Sequence, residues 1–158
     1  MFPQKEGLVA AFVSMAVISV VLVSVMVFVI GYIKIIGIVI LLCGFMPIIP
    51  LKLAGRSIKS VGADIIFGAV DTGFLGIAAL IGANFAGILG AIVGGVVGDS
   101  ITDGFAGLFE GRAAEYLRRH GIEEARTPLS SSMGKMSGCL FGVGTVLAIA
   151  WGLLWLIP

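Results

Sequence analysis

Two carboxylates lie within the glycine-rich apolar segment GGVVGDSITDGFAGLFEG, which covers residues 94–111. Asp99 and Asp103 are four residues apart, so they lie on the same face of a helix. Ser100 and Thr102 add two hydroxyl groups beside them. Carboxylate, hydroxyl and main-chain carbonyl oxygens are the ligands that hard cations prefer, and buried carboxylates also serve as proton relays in membranes. The segment therefore predicts cation binding or proton transfer.

A third acid, Asp71, lies near the middle of the preceding apolar segment and is followed by Thr72. A carboxylate at the centre of a bilayer costs about 2.5–3.5 kcal/mol on insertion scales. Protonation, hydrogen bonds to hydroxyl and main-chain groups, or a bound cation would offset this cost. We expect Asp71 and Asp99 to face each other at similar depth. The predicted site for a bound or transported Ca²⁺, Mg²⁺ or Na⁺ consists of Asp71, Thr72, Asp99, Ser100, Thr102 and Asp103.

The composition indicates that these acids lie in a membrane protein. The chain of 158 residues is 59% hydrophobic and 12% charged, whereas soluble domains average roughly 25% charged residues. The mean hydropathy is +1.17. A net charge of +1 gives no reason to expect nucleic-acid binding. Cys43 and Cys139 lie in separate apolar runs and indicate packing rather than a disulfide or a metal site.

Five stretches approach or exceed the length of about 20 apolar residues that crosses a bilayer. We therefore predict an all-α integral membrane protein with five transmembrane helices, the second kinked or ended by Pro47 and Pro50. The predicted helices cover residues 8–30, 35–51, 62–81, 85–108 and 136–157.

The distribution of basic residues predicts the orientation of these helices. With five crossings, nine of the ten lysines and arginines fall on the side of the N-terminus, and only Lys34 falls on the other. With four crossings the division would be eight against two. The positive-inside rule then predicts a cytoplasmic N-terminus. The expected location is a cell membrane of prokaryotic type or an organellar inner membrane, as a multi-pass protein.

The whole chain, residues 1–158, is predicted to form one transmembrane domain. We expect Gly121 to end a helix in the soluble segment and Thr127-Pro128 to mark a turn. The predicted parts are an N-terminal helix pair (1–51), a glycine-rich acidic helical hairpin (62–108), a cytoplasmic loop (109–135) and a last helix (136–157).

Small residues at intervals of four predict close helix packing within the hairpin. Gly90, Gly94 and Gly98 form one such stripe, and small residues let helix backbones approach closely in lipid. The preceding helix has small residues at 68, 72 and 76, which we expect to match this stripe. A tight turn is expected at residues 82–84. The same surfaces favour a homo-oligomer, most simply a dimer, or contacts with other membrane subunits.

Residues 67–138 contain a set of motifs made of glycine, acids and a Thr-Pro pair. They are Gly68-x2-Asp71, Gly98-Asp99-x3-Asp103-x2-Ala106-Gly107, Glu110 and Thr127-Pro128-Leu129-Ser130. In these motifs the chain resembles the transmembrane protein sixty-five family, which is known from the mitochondrial inner membrane and linked to sodium-dependent calcium handling. The resemblance implies that Asp71, Asp99 and Asp103 are functional acids. The chain departs from the family pattern at Thr72 and Asp99, where the family has asparagine.

Cation transport or its regulation is the function that the sequence favours, and two alternatives stay open. A small glycine-rich chain with buried acids is also typical of a non-catalytic membrane subunit of an ion-translocating complex, such as an energy-converting hydrogenase. The third hypothesis is a membrane phosphotransferase, since Gly95, Asp99 and Asp103 have the spacing found in CDP-alcohol phosphotransferases. That family also needs an upstream aspartate block, which this chain lacks. The sequence therefore favours a non-enzymatic role.

Overall fold

The computed structural model describes residues 3–55, 58–119 and 127–153, and every regular element in these ranges is helical. The all-α prediction is confirmed for this part of the chain. A 3₁₀ helix, Ile58–Val61, precedes the fourth α-helix, and a π-helical segment, Ala148–Leu153, follows the fifth. The α-helices are α1 (Pro3–Val29), α2 (Ile33–Cys43), α3 (Ile48–Leu53), α4 (Gly62–Arg119) and α5 (Pro128–Leu147).

Among the described residues, four helical stretches are long and apolar enough to cross a membrane, which is compatible with a multi-pass membrane protein. They have 22, 20, 47 and 24 residues, and about 20 residues suffice to cross the hydrocarbon core. The third stretch is thus about twice the length that one crossing needs. In chain order the stretches are Leu8–Val29, Lys34–Leu53, Gly62–Leu108 and Pro128–Trp151.

The chain forms two compact units that divide α4. The first unit comprises residues 1–73 and 127–158, and the second comprises residues 74–126. The division falls between Gly73 and Phe74. Each unit is described below by itself, as far as its residues are described.

The second unit contains a sharp interruption of α4 at Ala86 and Gly87. Ala86 has φ −143° and ψ 26°, and Gly87 has φ 57° and ψ −135°. Positive φ is costly for residues with a Cβ atom but not for glycine, which explains why the chain can reverse here. We call residues 62–85 the first arm of α4 and residues 88–119 its second arm.

The two arms pack in antiparallel fashion within the second unit. A Cβ atom built on Gly90 would lie 1.9 Å from the carbonyl oxygen of Gly82, and one on Gly94 would lie 2.3 Å from that of Ala78. One on Gly98 would lie 2.8 Å from the Cβ atom of Ala78. Backbones this close leave no room for side chains, so the glycines set the distance between the arms.

The position of the turn and the matching surface differ from the predictions. Residues 82–84 are helical, and the reversal occurs at 86–87. The second-arm glycines therefore meet Ala78 and Gly82 rather than small residues at 68, 72 and 76. A Cβ atom on Gly68 would instead lie 2.6 Å from the carbonyl oxygen of Lys135 in α5. Glycine spacing alone did not identify which helix each glycine contacts.

The first unit is organised around α5, which packs against α1, α2 and α3. The glycines of α5 allow this helix to approach the first arm of α4 closely. Cβ atoms on Gly138 and Gly142 would lie 2.1 Å and 2.2 Å from the carbonyl oxygens of Ile65 and Ala69. This unit contains a cluster of buried apolar residues, namely Ala11, Ile18, Leu51, Val61, Leu129 and Met133.

The boundaries around the predicted loop 109–135 differ from the expectation. The second arm of α4 continues to Arg119, and α5 begins at Pro128 rather than at residue 136. The side chain of Thr127 accepts a hydrogen bond from the Ser130 amide, and Pro128 occupies the first turn. Thr127-Pro128 is thus a helix start with a capping box, not only a turn. Gly121 lies outside the described residues.

The second predicted helix, residues 35–51, is divided into α2 and α3. The helix ends at Cys43 and a new one begins at Ile48. Proline has no amide hydrogen and disfavours a helical conformation in the preceding residue, so Pro47 and Pro50 account for the break. This outcome agrees with the expected effect of both prolines.

Candidate functional site

The second unit places Asp99 at the edge of the contact between the two arms. Asp99 directly follows Gly98, which approaches Leu75 and Ala78 of the first arm. One turn earlier, Gly95 is buried, and a Cβ atom there would lie 3.7 Å from the Cβ atom of Ala79. Asp99 itself is partly buried, whereas Asp103, one turn further along, is exposed. The two acids therefore share a helix face, but Asp103 is more exposed than Asp99.

The hydroxyl groups beside these acids donate hydrogen bonds to their own helix. Ser100 Oγ donates to the carbonyl oxygen of Val96 at 2.8 Å. Thr102 Oγ1 is 3.1 Å from the carbonyl oxygen of Gly98 and 3.0 Å from that of Asp99. A hydroxyl that donates its proton in this way keeps its oxygen lone pairs for another partner. Ser100 is exposed and Thr102 is partly buried.

Asp71 and Thr72, the other two predicted site residues, belong to the first unit. Both are partly buried and lie on the first arm, about one helical turn before Leu75. The neighbouring Gly73 approaches α5, since a Cβ atom there would lie 4.0 Å from the Cα atom of Gly142. The six predicted residues are thus divided between the two units, with four of them in the second.

The acids do not form a metal centre made of side chains alone within the described residues. There, no three histidine, cysteine, aspartate or glutamate side chains are grouped closely enough to hold a metal ion. A cation at Asp99 would therefore need hydroxyl oxygens, main-chain oxygens or water as further ligands. Ser100 and Thr102 supply oxygens of this kind on the same turn of helix.

A fourth acid, Asp64, which is outside the predicted site, is deeply buried. It lies in the first turn of α4, and only 2% of its surface is exposed. A Cβ atom on Gly134 would lie 2.8 Å from the Cβ atom of Asp64, so α5 covers this acid closely. The glycine spacing of α5 at 134, 138 and 142 is the sequence signal that could have predicted this burial.

A second polar contact that the sequence analysis missed joins α5 to the end of α2. Ser137 is fully buried, and its Oγ donates a hydrogen bond of 2.6 Å to the carbonyl oxygen of Gly44. Because Pro47 has no amide hydrogen, it cannot donate to this carbonyl group. Ser137 thus satisfies a main-chain acceptor at the helix break.

Comparisons of the chain with family models, curated proteins and solved structures gave no match. The resemblance to the transmembrane protein sixty-five family stays a prediction from the residues that carry it.

Proposed function

We propose that this protein is a multi-pass membrane protein that transports a cation or regulates cation transport. In this proposal Asp71, Asp99 and Asp103 bind a hard cation or exchange a proton. The observation that carries it is the position of Asp99, a partly buried carboxylate at the edge of a tight contact between two apolar helical arms. A bound cation or an exchanged proton would offset the cost of a carboxylate in such a place, as hydrogen bonds also would.

The proposed membrane arrangement has five crossings and a cytoplasmic N-terminus. The reversal at residues 86–87 supports it, because each arm of α4 is then long enough to cross the membrane once. The other crossings are α1, the α2–α3 pair and α5. The excess of basic residues on the side of the N-terminus supports the orientation. A cysteine introduced near Pro158 should then react with a membrane-impermeant reagent from outside only, and labelling from the cytoplasmic side would contradict the arrangement.

The proposed role of Asp71 rests on its place along the first arm and on its sequence context. It lies near the middle of the first arm and is followed by Thr72. The resemblance to the transmembrane protein sixty-five family supports the same assignment. We propose that Asp71 and Asp99 serve one ion, with Asp103 nearer to water as an entry residue.

Uptake measurements in proteoliposomes test this function. The purified protein should be reconstituted and offered Ca²⁺, Mg²⁺ and Na⁺ in turn, with a pH-sensitive dye to detect proton movement. We expect Asp71→Asn and Asp99→Asn each to reduce uptake more than tenfold, and Asp103→Asn to retain a larger fraction. Asp99→Glu is the matched control, because it keeps the carboxylate and should restore part of the activity. Full uptake by the Asp71→Asn/Asp99→Asn double variant would refute the proposed site.

Purification under mild conditions distinguishes transport by this chain alone from an accessory role. If the chain acts by itself, the native protein in detergent should contain only copies of this chain. Stoichiometric foreign subunits would instead support the alternative of a non-catalytic subunit in a larger ion-translocating complex.

A further inference from the structure

We propose that the tip of the α4 hairpin is a lipid-docking surface that lies in the interfacial layer of the bilayer. The tip consists of residues 85–89, around the reversal of the chain. The proposal rests on the membrane arrangement of the proposed function but not on cation transport. It identifies the occupant of this exposed apolar surface as lipid, at the boundary between acyl chains and headgroups.

The tip presents large apolar side chains that no described residue of the second unit covers. Phe85 is 88% exposed, Ile88 83% and Leu89 67%. Exposed apolar side chains continue below the tip on both arms, including Ile81 and Ile92. Lipid covers a continuous apolar surface of this kind without a partner of matching shape, so this continuity favours lipid as the occupant.

The sequence around the tip has few polar groups that would need to be hydrated. No ionisable residue occurs between Asp71 and Asp99. The amide of Asn84 is directed to its own helix, since its Nδ2 donates to the carbonyl oxygen of Leu80 at 3.4 Å. The reversal itself needs only Ala86 and Gly87. The turn thus lacks the charged or polar loop that would extend into water.

The length of the second arm places the tip within the interfacial layer. From Ile88 to Arg112, the first basic residue after the tip, the helix rises through 24 residues, which is about 36 Å at 1.5 Å per residue. The hydrocarbon core is about 30 Å thick, and each interfacial layer adds roughly 5–7 Å. With Arg112 at one boundary of the core, the tip ends about 6 Å beyond the other. A tilted helix would place it deeper, nearer the acyl chains.

The tip is also held firmly enough to keep its side chains at this depth. A Cβ atom on Gly90 would lie 1.9 Å from the carbonyl oxygen of Gly82, so the arms touch in the first turn below the tip. Phe85 and Ile88 flank the reversal directly and must move with both arms. Insertion of the tip therefore does not depend on a flexible loop.

Spin labels on single cysteines measure the depth of the tip. The full chain, with both native cysteines replaced by alanine, should carry the label at Phe85→Cys or Ile88→Cys in phosphatidylcholine–phosphatidylglycerol vesicles. Two paramagnetic reagents increase the relaxation rate of the label: oxygen, which partitions into lipid, and a water-soluble nickel complex. The measured quantity is the ratio of the increase caused by oxygen to the increase caused by nickel, which is higher for a label that lies deeper in lipid. Arg119→Cys, at an exposed position seven residues beyond Arg112, is the control for water. Val20→Cys, at an exposed position near the middle of α1, is the control for the hydrocarbon core.

We expect the ratio at both tip sites to exceed that at Arg119→Cys several-fold and to stay below that at Val20→Cys. A ratio equal to that at Arg119→Cys would show that the tip lies in water and would overturn the proposal. Labels shielded from both reagents would show that protein covers the tip, and would overturn it equally. Because cation uptake is not part of this measurement, its result is independent of the proposed transport.

Discussion

Replacement of Gly94 by alanine tests the packing of the two arms with the smallest possible side chain. The added Cβ atom would lie 2.3 Å from the carbonyl oxygen of Ala78 and 3.0 Å from its carbonyl carbon. Ordinary contacts begin near 3.4 Å, so one arm must move by about 1 Å. Overpacking of this kind typically costs about 1–3 kcal/mol. We therefore expect Gly94→Ala to lower the free energy of unfolding by that amount.

Gly104→Ala, on the same arm, provides the matched control. A Cβ atom at Gly104 would have nothing within 4 Å, so only the helix propensity changes, which favours alanine by up to about 1 kcal/mol. The two variants should thus differ by about 1–4 kcal/mol in unfolding free energy. Circular dichroism during titration of dodecyl maltoside micelles with sodium dodecyl sulfate measures this difference. Equal stability of the two variants would refute the inferred contact.

Two further predictions test individual contacts. Ser137→Ala should lower the unfolding free energy by about 1 kcal/mol, because it leaves a buried carbonyl group without its donor. Ser132→Ala is the control and should have little effect, because the Ser132 hydroxyl donates within its own helix. The same titration measures both variants, and equal effects would contradict the role of the interhelical hydrogen bond. A disulfide should form between cysteines at Ala79 and Gly95 when both native cysteines are replaced, since the Cβ positions are 3.7 Å apart, a favourable distance. Gel mobility before and after oxidation should show the crosslink for this pair and much less for Ala79 with Val96, and equal yields would contradict the register of the arms.

The sequence predicted the helical class and the apolar segments because both depend on local composition. Runs of apolar residues near 20 in length define them, and the effect of Pro47 on α2 is equally local. The partners of the glycines depend on the position of the turn, which the sequence placed at 82–84 rather than at 86–87. A shift of this kind changes which residues of an antiparallel pair meet. The glycine-to-helix assignments therefore required the structure.

The candidate site shows the same division between local and long-range information. The hydroxyl bonds of Ser100 and Thr102 lie within one turn of helix and follow from residue spacing. The burial of Asp64 arises because α5 approaches through Gly134, a residue 70 positions away. No pattern around Asp64 itself encodes this approach. An acid outside the predicted site is consequently among the most buried residues.

The position of Asp99 next to the glycine stripe explains how one short segment can combine close helix packing with a carboxylate. Gly90, Gly94 and Gly98 lie in the contact between the arms, and the residue after Gly98 is rotated by about 100° around the helix. A carboxylate placed there avoids the tight contact but stays beside it, which accords with its partial burial. An acid at position 98 itself would separate the arms, since even a Cβ atom would lie 2.8 Å from that of Ala78. The order glycine then aspartate thus lets the arms close with a carboxylate directly beside their contact.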